Sequence, residues 1–320
     1  MAEFILVVGL PASGKSELGD RIKEEKNVEI VSSDSIREEL FGDRKNQSDN
    51  NLVFKIMQER TLEYLAQEKD VLYDATNINS KRRKNLLECI PDNVYKRCIY
   101  ISAGKQGCIN RDNKREHQVG VEVIDRMYKN LQIPMYHEGW DKIEVVPAYT
   151  QYEYDESLDI IFEQKVTYDE ILSFYDKIGV DVENVDIPQD NKHQTLSLLR
   201  HCYQTYVWLF DNYFDEDRNV MLLAGLLHDI GKAECKEFRN GSIYASYRNH
   251  DSISSQVAMG LMMYNGYDED FTIQVGTIIQ MHMALSYNRD VKRDSALFDL
   301  VGNEMFEKLA RFRIADKNAK

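Results

Sequence analysis

The chain has 320 residues, of which 43% are hydrophobic and 29% are charged, so it can form two domains that each bury a core. Its formal net charge is −14, whereas non-specific binding along duplex DNA requires a dense basic surface. The acidic balance therefore argues against a protein that coats DNA, but it is compatible with a nucleic-acid end held in a local basic cleft.

The five cysteines are scattered without Cys-x-x-Cys spacing, which indicates reduced thiols rather than a disulfide framework or a thiolate zinc site. The longest apolar runs, such as residues 4–8, are too short to cross a bilayer, and no charged-then-apolar leader opens the chain. We therefore expect a cytoplasmic protein that has no membrane partner.

The first predicted strand, residues 4–8, leads into GLPASGKS, which fits the pattern G-x-x-x-x-G-K-[ST] and precedes a helix-compatible segment. Such a loop lets backbone N–H groups surround phosphate oxygens at the start of a helix. Lys15 would contact the β- and γ-phosphates, and the Ser16 hydroxyl would ligate Mg²⁺. The sequence thus predicts a site for ATP or another nucleoside triphosphate with Mg²⁺, formed by Gly9, Ala12, Ser13, Gly14, Lys15 and Ser16.

A second predicted strand, residues 28–31, is followed by Asp34 and Arg37, which are one helical turn apart. Strand ends in open α/β sheets carry ligand-facing groups, so we interpret this pair as an acid/base group and an anion clamp. The alternative is a helix N-cap aspartate beside a solvated arginine. The phosphate-binding loop favours the first interpretation because it fixes where the cleft lies.

A third strand, residues 71–73, ends at Asp74, which is a candidate for the magnesium shell. The preceding segment, residues 49–70, is predicted as one amphipathic helix with an apolar side formed by Leu52, Ile56, Leu62 and Leu65. The basic run at 81–84 follows helix-start signals, and such a run is usually a solvated helix face.

A fourth strand, residues 95–101, precedes a predicted helix that carries Arg111 and Arg115 at positions i and i+4. Paired arginines can form a lid that neutralises charge on a transferred phosphoryl group, although a surface helix with acidic partners is the alternative. A predicted helix over 121–128 and a predicted strand over 143–146 follow, so strands alternate with helices along this half of the chain. This order predicts a parallel sheet with helices on both faces.

In this order, the motifs resemble the kinase domain of polynucleotide 5′-kinases, and the likeness covers about residues 1–150. The elements that carry it are Gly9–Ser16, Ser32–Arg37, Asp74–Asn77, Arg82–Arg83, the Arg111/Arg115 pair and Arg126–Tyr128.

The resemblance implies that Lys15 and Ser16 hold ATP and magnesium and that Asp34 is the general base for a 5′-hydroxyl. It also implies that Arg37 grips the neighbouring nucleotide phosphate, while Arg111 and Arg115 clamp the β- and γ-phosphates. Zeta-toxin-like and small-molecule kinases have the same arrangement of motifs, and Asp34 would serve equally well in such a kinase.

A connector begins near residue 151, with a predicted helix over 167–179 and a stretch over 180–192 that lacks periodicity. We predict a domain boundary near 150, so that residues 151–320 contain the connector and a second domain with its core at about 190–320.

In the second half, His228 and Asp229 end a buried apolar helix, where an ionised carboxylate is costly unless a cation compensates it. Further histidines and an aspartate on candidate helices supply ligands for such a cation: His201, His250, His282 and Asp316. Imidazole and carboxylate ligands without thiolates suit manganese, iron, nickel, cobalt or magnesium. One or two such ions would activate water and hold a phosphate. His193 is interpreted as a surface residue or a proton donor outside this set.

The ordered pattern His, His-Asp, His, His, Asp resembles the HD phosphohydrolase family, and the spacing looks most like the HD domains that accompany transfer-RNA nucleotidyltransferases. No nucleotidyltransferase motif is present. The resemblance implies an all-α domain whose metal ligands are His201, His228, Asp229, His250, His282 and Asp316, with Lys232 as a phosphate-facing helper.

Together the halves predict an enzyme that heals RNA or DNA ends, phosphorylating 5′-hydroxyls and removing 3′-phosphate or 2′,3′-cyclic phosphate groups before a ligase acts. One alternative is a nucleoside or metabolite kinase fused to an HD nucleotidase, which the acidic charge favours slightly. Another is a nucleotide-sensing regulator, although a pure binding module needs no metal-bound water.

Overall fold

The computed structural model describes residues 2–147, 151–191, 195–239, 241–285 and 290–319. The chain divides into two compact units, Met1–Ala148 and Tyr149–Lys320, which are described separately below. Within the described ranges, none of the helices has both the length and the apolar character needed to traverse a bilayer. His193, for which the sequence left two roles open, belongs to residues 192–194, which lie outside the described residues.

The N-terminal unit is built on a parallel sheet, as the sequence predicts. In residues 2–147 the sheet has five strands in the order β2-β3-β1-β4-β5. The strands are β1 Glu3–Val8, β2 Val28–Ser32, β3 Asp70–Asp74, β4 Tyr95–Ser102 and β5 Lys142–Pro147. Consecutive residues from Phe4 to Val8 are all 0% exposed. Because successive side chains of a strand point to opposite faces, both faces of the sheet are covered.

The helices of this unit connect the strands. They are α1 Lys15–Glu25, α2 Ser33–Phe41, α3 Asn50–Ala66, α4 Ser80–Leu87, α5 Lys105–Asp112 and α6 Val121–Asn130, followed by a short 3₁₀ turn at Tyr136–Glu138.

The predicted apolar side of α3 is wrong in part. The helix buries Val53, Met57, Thr61 and Leu65, whereas Leu52 is exposed and Ile56 and Leu62 are half-buried. Ile56 and Leu62 are separated by about 600° of helical rotation and therefore cannot share one narrow stripe. Val53, Met57, Thr61 and Leu65 are spaced four residues apart and therefore do share one stripe. The hydroxyl of the buried Thr61 donates a hydrogen bond to the Met57 carbonyl at 2.8 Å.

The helix predicted to carry both lid arginines ends earlier than expected. Helix α5 stops at Asp112, whose buried carboxylate accepts hydrogen bonds from the N–H groups of Val119 and Gly120 at 2.9–3.0 Å. These bonds turn the chain back after the helix. Arg115 therefore lies in a turn, and it does not share a helix face with Arg111.

The C-terminal unit is mostly helical. It begins with a 3₁₀ turn at Glu156–Asp159, and its helices are α7 Ile160–Glu163, α8 Tyr168–Ile178, α9 Val182–Val185, α10 Leu198–Asn212, α11 Arg218–Leu227, α12 Lys232–Cys235, α13 His250–Tyr264, α14 Glu269–Met281 and α15 Val291–Asn318. The predicted helix over 167–179 is confirmed as α8, which Thr167 and Glu170 cap reciprocally and Gly179 (φ 91°) ends.

The prediction of an all-α second domain is wrong in one detail. Strands β6 Lys236–Phe238 and β7 Ala245–Tyr247 form an antiparallel hairpin within the described part of this unit. Its connection contains Gly241, whose φ of 80° is readily available to glycine. The Asn-Gly dipeptide at 240–241 is a recognised hairpin signal that the helical interpretation of this half did not weigh.

The core of the C-terminal unit forms around α11. All residues from Val220 to Leu227 are buried, and the helix packs against α10, α13, α14 and α15. This packing fixes the end of α11, where His228 and Asp229 follow.

Candidate functional site

The phosphate-binding loop joins β1 to α1. Gly14 has φ 107°, which favours glycine, and a Cβ atom at Gly9 would lie 2.7 Å from the Ser13 hydroxyl oxygen, so a side chain at Gly9 would displace that of Ser13. The Lys15 ammonium donates to the carbonyls of Gly9 at 3.1 Å and Leu10 at 2.7 Å. Ser16 is exposed in the first turn of α1. The loop therefore presents a lysine and a hydroxyl at a helix N-terminus, as an anion site requires.

Acidic groups surround Lys15 at the strand ends. Asp74 pairs in register with Val7 of β1 and Ser32 of β2, so the ends of these three strands meet. Burial lowers the pKa of Lys15 to about 8, and the nearby carboxylates of Asp74 and Asp34 oppose this shift. Burial raises the pKa of Asp74 above its usual range, while Lys15 acts to lower it. Asp74, Asp34 and Lys15 thus form one group of interacting charges at the strand ends.

Asp34 and Arg37 are paired on the first turns of α2. The Arg37 guanidinium donates to Asp34 Oδ1 at 2.8 Å and to Asn50 Oδ1 at 3.0 Å. Arg37 is 6% exposed, whereas the Asp34 side chain is 65% exposed. The alternative interpretation of a capping aspartate beside a solvated arginine is wrong, because the N-cap residue is Ser32 and the arginine is buried. The carboxylate of Asp34 is held in place and accessible to a ligand.

A cleft of about 430 Å³ lies beside this pair, between α3 and the loop that follows β3. Sequence reasoning did not include Asn50, which both lines the cleft and binds Arg37. Amide and aromatic groups share the lining, which includes Asn50, Phe54, Gln58, Tyr73, Asn77, Asn79 and Arg82. The cleft can accept a polar ligand that has a flat face.

Arg111 and Arg115 are both close to the phosphate-binding loop, but only Arg111 is on a helix. Arg111 Nε donates to the carbonyl of Ala12 at 2.7 Å, so its side chain reaches the phosphate-binding loop. Arg115 is exposed beyond α5, and its charge contributes to lowering the pKa of Lys15.

The arginine pair at the start of α4 is divided between surface and core. Arg83 is 2% exposed and forms hydrogen bonds of 2.6 and 2.8 Å with the Glu138 carboxylate. It also donates to the carbonyls of Asn77, Gln132 and Ile133 at 2.8–2.9 Å. Its donors are engaged within the fold, so Arg83 is a structural residue, whereas Arg82 is exposed at the cleft.

In the C-terminal unit, the structure brings together all six side chains that the sequence singled out as metal ligands. Among the described residues, these side chains form two groups, and within each group all ligand atoms lie within 4.8 Å of one another. The first group contains His201, His228 and Asp316, and the second contains Asp229, His250 and His282. Their elements are far apart in sequence, but α10, α11, α13, α14 and α15 bring them to one place.

Backbone carbonyls fix the four imidazoles in one orientation. The Nδ1 atoms of His201, His228, His250 and His282 lie 2.7–2.9 Å from the carbonyls of Ala319, Gly225, Tyr247 and Ile279. A carbonyl only accepts hydrogen bonds, so each Nδ1 carries a proton and each neutral ring offers Nε2 as a ligand. The Nε2 atoms are 3.3 Å apart in the first group and 3.2 Å apart in the second. Two nitrogens bound to one tetrahedral ion lie about 3.3–3.4 Å apart.

Asp229 lies between the two groups. Its Oδ2 is 3.4 Å from the Nε2 atoms of His201 and His228, and its Oδ1 is 3.3 Å from that of His250 and 3.8 Å from that of His282. Oδ1 is buried and has no hydrogen-bond partner among the described residues. A buried carboxylate oxygen without a donor fits a cation, so the residues present can hold one ion in each group with Asp229 shared.

Charges around the cluster fit the same arrangement. Burial would raise the pKa of Asp229, but Lys232 and His228 hold it well below its usual range. Burial would lower the pKa of His228, but the carboxylates of Asp229 and Asp316 raise it well above normal. A bound cation would supply the positive charge that His228 otherwise takes up as a proton. Burial lowers the pKa of His282 to about 3, which keeps this ring neutral.

Lys232 is engaged with the cluster rather than open to solvent. Its ammonium donates to Asp229 Oδ2 at 2.5 Å and to Gln189 Oε1 at 2.9 Å. The Asp229 carboxylate raises the pKa of Lys232 although burial opposes it. Gln189, which the sequence gave no reason to select, is 2% exposed and connects the lysine to the segment before α10.

Residues 4–134, which carry most of the parallel sheet and the phosphate-binding loop, match the family described as AAA domain. Among solved structures, the chain is similar to a gluconokinase from Sinorhizobium meliloti 1021, with 19% identity and a TM-score of 0.36 over 46% of this chain and 83% of that one. It is also similar to a chain of the Pnkp1/Rnl/Hen1 complex, with 20% identity and a TM-score of 0.33 over 49% of this chain and 50% of that one. No curated protein matches the chain.

Proposed function

We propose that the chain is a bifunctional nucleic-acid end-healing enzyme that phosphorylates 5′-hydroxyl ends and removes 3′-phosphate or 2′,3′-cyclic phosphate groups. The observation that carries the proposal is the convergence of four imidazoles and two carboxylates in a chain that also has a P-loop kinase-like domain. Each site suits phosphate chemistry, and a ligase requires the two products together.

In the kinase reaction, the loop N–H groups and Lys15 bind the phosphates of ATP. Ser16 and Asp74 would hold Mg²⁺, which neutralises phosphate charge when bound. Asp34 accepts the proton of the 5′-hydroxyl, the hydroxyl oxygen attacks the γ-phosphorus, and the bond to the β-phosphate oxygen breaks to release ADP. Arg111 and Arg115 neutralise charge that develops on the phosphates.

Arg37 would have a second role besides gripping the phosphate of the neighbouring nucleotide, which the resemblance implies. Its ion pair with Asp34 and its bond to Asn50 suit a residue that orients the base and borders the acceptor cleft. A phosphate of the acceptor strand would reach its guanidinium at this border, where Asn50 lines the cleft.

In the hydrolytic reaction, the two imidazole groups would hold one or two divalent cations with Asp229 shared. Manganese, iron, nickel, cobalt and magnesium are all compatible with these ligands, and such cations polarise a phosphate and activate water. The carbonyl bonds at Nδ1 leave the Nε2 atom of each ring available as a ligand, and Lys232 keeps Asp229 ionised and oriented. A water oxygen replaces the 3′-ester oxygen on phosphorus and a proton from water passes to that oxygen, leaving a 3′-hydroxyl and inorganic phosphate. A 2′,3′-cyclic phosphate requires one such hydrolysis to open the ring and a second to release the phosphate.

The kinase half is tested by transfer of the γ-phosphate of ATP to a 5′-hydroxyl oligonucleotide. Lys15→Ala and Asp34→Asn should abolish or strongly reduce transfer, whereas Glu38→Gln, an exposed acid on the same helix, should leave it unchanged. An inactive wild-type protein with Mg²⁺ present would refute this half.

The hydrolytic half is tested with 3′-phosphate and 2′,3′-cyclic phosphate oligonucleotides in the presence of each divalent metal. His228→Ala and Asp229→Asn should remove the activity and leave the kinase reaction intact. Hydrolysis that survives both substitutions would mean that the imidazole cluster is not the site.

A small-molecule kinase fused to a nucleotidase is the second candidate. The cleft of about 430 Å³ and the net charge of −14 favour it, because a compact cleft suits a single nucleoside and an acidic surface repels a nucleic-acid backbone. Faster turnover of nucleosides and mononucleotides than of oligonucleotides would support this candidate over the first.

A further inference from the structure

We propose that the β6–β7 hairpin is a stacking surface for the terminal base of a single-stranded nucleic acid whose 3′ end enters the Asp229 cluster. This inference rests on the proposed hydrolytic function, because it names the part of the substrate that this site recognises. The hairpin is inserted between Lys232, which binds Asp229, and His250, which belongs to the second imidazole group.

The hairpin exposes apolar and aromatic surface. Phe238 is 56% exposed, Ile243 is 79% exposed and Tyr244 is 45% exposed, although all three belong to a short element beside a buried polar cluster. Exposed aromatic rings accept any nucleobase, because every base has a π-face and stacking does not require a particular sequence.

The local charge is opposite to that of the chain. Residues 236–248 contain three basic residues and one acidic residue, whereas the whole chain carries a net charge of −14. Lys236 is paired with Asp190 at 2.6 Å, while Arg239 and Arg248 are exposed. Exposed arginines beside aromatic rings suit a phosphate backbone with stacked bases.

Hydrogen bonds connect this surface to the ligand cluster. The Tyr247 carbonyl lies 2.8 Å from His250 Nδ1, and the Tyr247 hydroxyl donates to the carbonyl of Gln189. Gln189 in turn accepts from Lys232, which donates to Asp229. A nucleotide on the hairpin is therefore next to residues that orient the ligands of both imidazole groups.

A cavity beside the hairpin provides room for the base. Its volume is about 470 Å³, and Ile243 and Tyr244 form one side while Gln189, Asp190 and Ser197 contribute polar atoms on the other. Stacking on Tyr244 with polar contacts at the base edge would place the terminal base beside Gln189, whose side chain accepts a hydrogen bond from Lys232 next to Asp229.

The experiment compares two short oligonucleotides with a 3′-phosphate, identical except that one has an abasic 3′-terminal residue. The full-length wild-type protein should hydrolyse the base-bearing strand with a kcat/KM about tenfold higher, since the stacked base adds binding energy that the abasic residue lacks. The Phe238→Ala/Tyr244→Ala variant should lose this preference while hydrolysing the abasic strand as the wild type does. Phe214→Ala, which removes an exposed phenylalanine elsewhere in the same unit, is the matched control and should behave as wild type.

Binding measured by fluorescence anisotropy separates this inference from the proposed function. A wild-type protein that binds the base-bearing strand about tenfold more tightly than the abasic one, and loses this difference in the double variant, supports the hairpin surface even without hydrolysis. Equal effects of the double variant on both strands, no effect on either, or the same effect from Phe214→Ala would overturn it. Failure of hydrolysis with every metal and every strand would instead refute the proposed function.

Discussion

Replacing Arg83 with methionine should destabilise the N-terminal unit without acting directly on its chemistry. The arginine is 2% exposed, and its side chain binds both carboxylate oxygens of Glu138 and three backbone carbonyls. Among the described residues, the substitution leaves the buried Glu138 with bonds to the Ser80 hydroxyl at 2.8 Å and the Trp140 indole at 3.0 Å. An uncompensated buried charge results.

The magnitude follows from the burial of this ion pair. Removing one partner of a buried pair costs about 3–5 kcal/mol, and each kcal/mol shifts the Tm of a unit of this size by about 2–4 °C. The Tm of the N-terminal unit should therefore fall by about 6–20 °C. Replacing both partners, as in Arg83→Met/Glu138→Leu, should recover much of this loss because no unpaired charge remains.

Thermal unfolding can be followed by the fluorescence of Trp140 in a Trp208→Phe background, because each unit contains one of the two tryptophans. Arg82→Met, which changes the exposed neighbour, is the control for the loss of an arginine and should leave the Tm unchanged. A normal Tm for Arg83→Met combined with loss of phosphoryl transfer would refute the structural role and favour a catalytic one.

Three further predictions concern the two sites, and a fourth concerns the stability of the C-terminal unit. Asp34→Asn should lower kcat for phosphoryl transfer by about 10²–10⁴ and leave the Kd for ATP unchanged, as measured by steady-state kinetics and calorimetry; a raised Kd would contradict its role as the base. Because the pKa of Lys15 is lowered to about 8, the Kd for ATP should be flat below pH 8 and rise up to about tenfold per pH unit above it, as the cationic form is lost; a flat profile to pH 10 would contradict this. Asp229→Asn should reduce 3′-phosphate removal by about 10³-fold and lower the bound metal measured by mass spectrometry, with the kinase rate as internal control. Tyr175→Phe, which removes a hydroxyl bond of 2.5 Å to a carbonyl of α11, should reduce the free energy of unfolding of the C-terminal unit by about 1–3 kcal/mol in urea; an unchanged midpoint would mean that this bond contributes nothing.

The parallel sheet was predictable because its signals are local. Each strand of the N-terminal unit contains a short apolar run, and the loop between β1 and α1 has a sequence pattern that specifies its own backbone. The burial of Arg83 was not predictable, since it depends on Glu138, which is 55 residues away. The end of α5 depends in the same way on contacts between Asp112 and the chain at 119–120.

The ligand cluster was predictable in its members but not in its geometry. A histidine beside an aspartate in an apolar helix indicates an unusual buried charge, and the order of the other residues suggested the set. The division into two groups about Asp229 and the fixed Nδ1 atoms depend on where the helix ends lie in space. Gln189 and Asn50 were missed because their importance comes from their neighbours rather than from their residue type. The hairpin was missed although the Asn-Gly dipeptide at 240–241 indicates it.

The most direct test of the account is one incubation of the full-length protein with ATP, divalent metal and an oligonucleotide that carries a 5′-hydroxyl and a 2′,3′-cyclic phosphate. Mass spectrometry of the product should reveal a strand with a 5′-phosphate and free 2′- and 3′-hydroxyls. Lys15→Ala should heal only the 3′ end and Asp229→Asn only the 5′ end. Recovery of the unmodified substrate from the wild-type reaction, or loss of both activities in either variant, would contradict the assignment of one phosphate reaction to each unit.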